Sequence, residues 1–386
     1  MINLICYENI ILYNGRFYTD KNNIKTTYLH NRDKFTEYDF TPFDIISINL
    51  PKLTLKYNKI VVLIHHFHWN AGHFLWDHLY PSWYGLFSKK NNYINKEFQY
   101  ITIAEFNDIH VYTFKNIIEK FSGSSLETLS SFSIKYNEPL IIPFLITGFE
   151  NIGISHLYKE NLLVRRGLEL NNIDPIETFI NHFYNKYNIK RNSLINHLDI
   201  KKCNNVIFIK NKRPYNGIEK LFDKMNDIYR EKYNFKIIDY SNLNFEEQLN
   251  ILNTTCLCIV GIGTARFSNA FLPNGSIEIQ TFQPNINRNN YIEYFDYHGG
   301  TLSKYIKVKN IPYYTKEEAI NSSYSHLLEN YIYEALDEIP CKVPVNLEEN
   351  IPLEIRNLKN NINYNIMFDK WRSTRSNSLE DFINIL

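Results

Sequence analysis

Five histidines, His65, His66, His68, His73 and His78, fall inside fourteen residues of the stretch HHFHWNAGHFLWDHLYPSW. Imidazoles titrate near neutral pH, so such a cluster can move protons or ligate a metal. Asn70 is a good N-cap for a helix beginning at Ala71, and along that helix His73 and Asp77 stand at i and i+4 on one face. A carboxylate and an imidazole so placed make a general base with its orienting partner. His66 and His68 form a His-x-His pair at a strand end, the way several metal hydrolases begin their site, where an open coordination position would activate water. Together with Asn70 they are also candidates to line an acceptor cleft. The plainer reading holds for His65, His66 and His78 taken singly, as hydrogen-bonded structural residues.

A second stretch with chemistry runs from Cys256 to Gln280, CLCIVGIGTARFSNAFLPNGSIEIQ. An apolar run reaches Val260, meets Gly261 and Gly263, and passes through a short polar and aromatic segment. A Pro-Asn-Gly turn then leads into a second apolar run ending near Glu278. The pattern predicts strand, loop, short helix, turn, strand. Glycines after a buried strand let backbone N–H groups approach an anion, and a helix starting there adds its positive end, so phosphate or pyrophosphate is the natural ligand. Glu278, read at the far end of the second strand, could hold the two hydroxyls of a ribose. Upstream, Lys210 to Gly217 (KNKRPYNG) is a basic turn after the short strand Val206 to Ile209, which brings Lys210 and Arg213 to the same rim as the glycine loop.

The elements that must position these residues alternate. In the first half, strands are predicted at Asn9 to Tyr13, Phe17 to Thr19, the second half of Leu53 to Ile64, Phe98 to Ile103 and Pro139 to Leu145. Helices are predicted at Val111 to Phe121 and Asp174 to Ile189. In the second half the order is Val206 to Ile209, a helix from Ile218 to about Tyr233, Phe235 to Asp239, a helix from Asn244 to Asn253, then the glycine-loop unit. Such alternation argues for an α/β chain with a parallel sheet, whose ligand crevice lies at the carboxyl ends of the strands. The Asn-rich stretch Arg191 to Asn205 is the expected boundary, giving domains over 1–195 and 196–320 and a helical tail over 321–386.

At 386 residues the chain has room for two domains. Its net charge of +1 gives no general pull toward nucleic acid or an anionic membrane. Five cysteines, Cys6, Cys203, Cys256, Cys258 and Cys341, with no Cys-x-x-Cys knuckle, indicate neither a disulfide framework nor a structural zinc. No apolar stretch reaches the roughly 20 residues of a membrane span. A cytoplasmic protein is expected.

Two stretches resemble glycosyltransferase family 61, which includes O-linked N-acetylglucosaminyltransferases and xylan arabinosyl- and xylosyltransferases. GHFLWDHLYP (Gly72 to Pro81) is similar to the family's His-Trp-x-x-Asp-x-Leu-Pro helix. Val206 to Ile279 follows its nucleotide-binding half: basic turn, helix, strand, Glu-Gln helix, strand, glycine loop, Asn, Phe, Pro-x-Gly-x-x-x-Glu. The likeness spans roughly residues 55–90 and 205–310. Where the family carries His-Gly-Ala-Gly-Leu-x-Asn, this chain has Gly263-Thr264-Ala265-Arg266-Phe267-Ser268-Asn269, and Lys210 stands for the first arginine of the basic turn.

The resemblance implies a GT-B fold, two Rossmann-like domains facing across a cleft, with the tail returning to the first. It implies an inverting transfer from a nucleotide sugar, most simply a UDP-sugar, to a hydroxyl of a glycan or glycoprotein, with no essential metal or other cofactor. Asp77 would be the base and His73 its partner. Lys210, Arg213, Gly263, Thr264, Arg266, Asn269 and Glu278 would bind the nucleotide sugar, Arg266 supplying positive charge in place of the family's histidine. The residues alone leave open a metal-dependent hydrolase built on His65 to His78, and a carbohydrate- or nucleotide-binding relic without turnover.

Overall fold

The computed structural model describes residues 5–18, 55–64, 71–80, 82–83, 86, 97–102, 109–147, 175–195, 198–210, 217–261, 264–281, 303–311 and 323–345. The chain is α/β and divides into two compact units, one from Met1–Tyr158 and Glu169–Asn188, the other from Lys159–Leu168 and Ile189–Leu386.

In the first unit, strands β1 (Ile5–Tyr13) and β2 (Arg16–Tyr18) form a hairpin. Its two loop residues, Asn14 and Gly15, have φ of 50° and 71°, the mirror-image turn that matches strand twist. Then come β3 (Leu55–Lys56), β4 (Ile60–Ile64), β5 (Phe98–Thr102), β6 (Glu127–Thr128) and β7 (Leu140–Thr147). Every residue of β4 and β5 is buried; β4 is an unbroken apolar run, while β5 buries Gln99 and Thr102 beside its apolar residues. Strand order is β2-β1-β7-β4-β5-β6, with β3 also beside β7. Strand β1 lies antiparallel to β7, while β7, β4, β5 and β6 are mutually parallel. Those four follow the chain order 3-2-1-4 from β6 to β7, that of a Rossmann half-sheet.

The helical elements described in this unit are α1 (Ala71–His73), α2 (Ile109–Ser122), α3 (Leu129–Lys135) and α4 (Pro175–Lys186). Along α4, Ile176, Phe179, Ile180, Phe183 and Tyr184 are all buried, the stripe that the spacing predicts. Phe121 of α2, fully buried, meets Trp83, Phe98, Phe179, His182 and Phe183 with ring centroids 4.6 to 6.0 Å away.

The second unit holds β8 (Asn205–Ile209), α5 (Ile218–Tyr229), β9 (Asn234–Ile238), α6 (Phe245–Leu252), β10 (Thr255–Gly261), a 3-10 segment (Thr264–Phe271), β11 (Ile277–Thr281), β12 (Lys307–Asn310) and α7 (Ser323–Glu338). All pairings among these strands are parallel, in the order β12-β11-β10-β8-β9. Helix α5 buries Ile218, Leu221, Phe222 and Met225, and α7 buries Leu328, Ile332, Ala335 and Leu336. Both pack into one core with Val206, Phe208, Leu257, Ile259, Ile277 and Ile279. Lys224 of α5 pairs with Glu329 of α7 at 2.7 Å. The described part of the tail therefore belongs to this unit, and residues 346–386 lie outside the described residues.

The Asn-rich stretch after Asn188 is not a loose connector where it is described. Asn192 donates its side-chain amide to Asn253 O at 2.8 Å and its backbone N–H to Asn253 Oδ1 at 2.7 Å. Leu194, fully buried, bonds through its N–H to Asn274 O. Asparagine here serves as a side-chain partner for backbone, a use that composition does not reveal.

Candidate functional site

The second sheet reverses its direction of growth between β8 and β10: β9 is added on one side of β8, and β10, β11 and β12 on the other. In open parallel sheets ligands sit outside the carboxyl ends of the strands at such a switch point. Strand β8 ends at Ile209 and is followed by Lys210, whose N–H donates to Ile238 O at 2.7 Å and whose side chain is exposed. Strand β10 ends at the buried Gly261, and Thr264 opens the 3-10 segment. Lys210 and the glycine-bearing segment thus leave the two strands that flank the switch point. Thr264 and Arg266 are placed by their backbone in the 3-10 segment. Arg213 and Gly263 lie outside the described residues.

Asn269 sits on the 3-10 segment, 1% exposed, and its Oδ1 accepts a hydrogen bond from the Cys258 thiol at 3.3 Å. Glu278 requires a correction. It is the second residue of β11, not the last, and is 1% exposed. The apolar run stops at Ile279, but parallel pairing with β10 carries the strand on through Gln280 and Thr281, opposite Val260 and Gly261. The far end of the strand is therefore Thr281, and Glu278 lies in the interior. Two polar residues near this edge, Gln280 and Thr281, escaped the sequence reading, and Cys258 was read only as part of an apolar run. The spacing of Glu278 and Gln280 on one face of a strand was the available signal.

The first sheet repeats the geometry. Its switch point is at β4, with β5 and β6 on one side and β7 on the other. Strand β4 ends at Ile64, directly before the histidine-rich stretch. His66, His68 and Asn70 lie outside the described residues. The helix begins at Ala71 as expected, but from Phe74 to Leu79 its backbone is a π-helix, with i→i+5 bonding. The i, i+4 spacing of His73 and Asp77 belongs to an α-helix, whereas the backbone places His73 at the end of the α-helical turn and Asp77 within the π-helical stretch. Such π-turns recur at functional sites.

The segment is anchored by its aromatic residues. Phe74 stacks on Phe114 at 4.2 Å, and Trp76 and Tyr80 lie against Phe179 at 5.5 and 5.3 Å. Trp76, Leu79 and Trp83 are buried, as their packing role required, and His78, 6% exposed, is an interior residue.

Cys203, Cys256, Cys258 and Cys341 are free and buried. Burial pushes the thiols of Cys203 and Cys256 up to about 12. Burial, then the neighbouring Glu278 charge, raises Cys258 as well. Thiols held protonated in this way are poor nucleophiles and poor metal ligands. Among the described residues no three His, Cys, Asp or Glu side chains come together as a metal site, and no helix is long and apolar enough to cross a membrane.

The chain matches no family model and no curated protein sequence.

Proposed function

We propose that this chain is an inverting, metal-independent glycosyltransferase of GT-B type, taking its sugar from a nucleotide sugar, most simply a UDP-sugar, and passing it to a hydroxyl of a glycan or glycoprotein. One observation carries the reading. In each of two α/β units, the chemistry-bearing segment leaves the carboxyl end of a strand at its sheet's switch point, His65 to Asp77 after β4, Lys210 and the Gly261 loop after β8 and β10. A GT-B enzyme uses one such edge for the acceptor and the other for the nucleotide sugar.

In the proposed reaction the acceptor oxygen attacks the anomeric carbon as the bond to the diphosphate oxygen breaks. The acceptor proton passes to Asp77, oriented by His73, and the bonding electron pair leaves with the nucleoside diphosphate. Lys210, Arg213 and Arg266, with the N–H groups of Gly263 and Thr264, offset the charge on that leaving group. The buried, free cysteines suit a reducing compartment such as the cytoplasm.

The test is a melting curve of the protein with UDP, GDP, CMP or TDP, each with and without EDTA. One nucleotide at a hundred times its dissociation constant stabilises a fold that alone binds it by about 2.7 kcal/mol, a shift of several degrees. That shift is expected to survive EDTA. No shift with any nucleotide, joined to a fall in melting temperature on chelation, would overturn the reading in favour of a metal hydrolase at the histidine cluster.

A further inference from the structure

Glu278 stands three residues before Thr281, the last residue of β11. At about 3.3 Å per residue it lies roughly 10 Å below the carboxyl edge. Strand side chains stand close to perpendicular to the sheet, so its carboxylate does not reach a ligand held at that edge. One of its partners is Gln280, two residues on and on the same face, whose Nε2 donates to Glu278 Oε1 at 2.5 Å. With its NH2 donated to Glu278, the amide turns its Oε1 away.

That Oε1 has no hydrogen-bond partner among the described residues, although Gln280 is 1% exposed and next to the end of the strand. A second orphan lies on the same face of the sheet. Cys258, beside Glu278 in register, donates to Asn269 Oδ1, and the Asn269 Nδ2, on a residue 1% exposed, has no partner among the described residues. Buried amide groups are rarely left unmet, because each costs stability that nothing returns. Two of them on one face, below the loop that begins at Gly261, mark a place for a polar guest.

We infer that Gln280, its amide set by Glu278, recognises the nucleoside part of the nucleotide sugar by accepting a hydrogen bond from an O–H or N–H group, and that Glu278 is a positioning residue rather than a ribose ligand. The inference rests on the nucleotide-sugar reading. Gln280 takes over the recognition that the strand-end reading assigned to Glu278.

The experiment is calorimetric titration of wild type, Gln280→Met and Glu278→Gln with UDP, 2′-deoxy-UDP, 3′-deoxy-UDP and N3-methyl-UDP. Wild type is expected to bind one of the three analogues about tenfold more weakly than UDP, which also tells a ribose hydroxyl from the base N–H. Gln280→Met should bind UDP about tenfold more weakly than wild type and show no further loss with that analogue. Glu278→Gln, which can both donate and accept and so frees the amide to turn, should keep part of the analogue's penalty. If wild type binds all three analogues as tightly as UDP, the inference falls, and that result needs no variant to fold. It also falls if Glu278→Gln cancels the penalty while Gln280→Met leaves it whole. UDP binding that ignores Gln280→Met sinks the inference alone, whereas a wild-type protein that binds none of UDP, GDP, CMP and TDP sinks the nucleotide-sugar reading with it.

Discussion

Asp77→Asn is expected to lower turnover of a nucleotide sugar by about 10²- to 10⁴-fold, the range supplied by a positioned general base, while UDP affinity stays within about twofold. The asymmetry comes from where the residue lies. Asp77 belongs to the segment after β4, in the first unit, whereas the groups proposed to hold the diphosphate come after β8 and β10 in the second. Asparagine keeps the size and shape of the side chain but cannot take the acceptor proton. The aromatic anchors on either side, Trp76 and Tyr80 against Phe179, are untouched by the change, so the melting temperature should hold. Initial rates of nucleoside diphosphate release, set beside a UDP titration of the same preparations, check it. Turnover and affinity falling together would give Asp77 a structural role, and unchanged turnover would place the base elsewhere.

A large effect of a different kind is expected at His182. Its ring lies 4.2 Å from that of Trp83 and 4.6 Å from that of Phe121, and its Nε2 is 2.8 Å from Phe121 O, so the neutral tautomer with Nε2–H donates there. Burial is the main cause that lowers its pKa from 6.5 to about 4. The bond to the Phe121 carbonyl works the other way, and the Lys186 charge adds to the lowering. Between pH 4 and 6.5 the unfolded chain therefore binds more protons at this site than the folded one. Stability is fully present above about pH 6.5 and is lost as the pH falls toward 4, below which both states are protonated. A shift of that size amounts to about 3 kcal/mol. Urea midpoints of wild type and His182→Phe at pH 7.5 and pH 4.5 isolate the term from the carboxylates that both proteins share. The variant is expected to lose less stability on acidification by most of that amount. Equal losses in the two proteins would show that His182 does not couple folding to protons.

Much of the architecture was legible because the strands announce themselves. In Val206 to Ile209 and Cys256 to Val260, polar residues bracket apolar runs buried on both faces, and the strands found, Asn205–Ile209 and Thr255–Gly261, extend these by a residue at one end or both. The helix Phe245–Leu252 was equally clear, since Asn244 and Glu247 form the capping box that its start required.

Strand order was not legible. A parallel strand buried on both faces carries no mark of its neighbour, so the switch points at β4 and between β8 and β10 emerge only from the pairing. The π-turns from Phe74 to Leu79 were missed because the pattern Trp76, Leu79, Trp83 also suits an α-helix. Glu278 was misplaced for a specific reason. An apolar-run reading stops where polar residues begin, yet β11 buries Gln280 and Thr281 before it ends. Polar residues inside a strand end are invisible to hydropathy and are the ones a ligand site uses. Of the candidate site, His66, His68, Asn70, Arg213 and Gly263 lie outside the described residues, and the backbone alone places His73, Asp77, Thr264 and Arg266.

The central claim is that a nucleotide sugar binds at the carboxyl edge of the second sheet, at the switch point between β8 and β10. Amide hydrogen exchange of the whole chain with and without saturating UDP, in EDTA, tests it most directly. The account predicts that exchange slows most over residues 209–217 and 261–271, with little change at the opposite ends of the same strands. Unchanged exchange over both segments, or slowing confined to the amino ends of the strands, would contradict it.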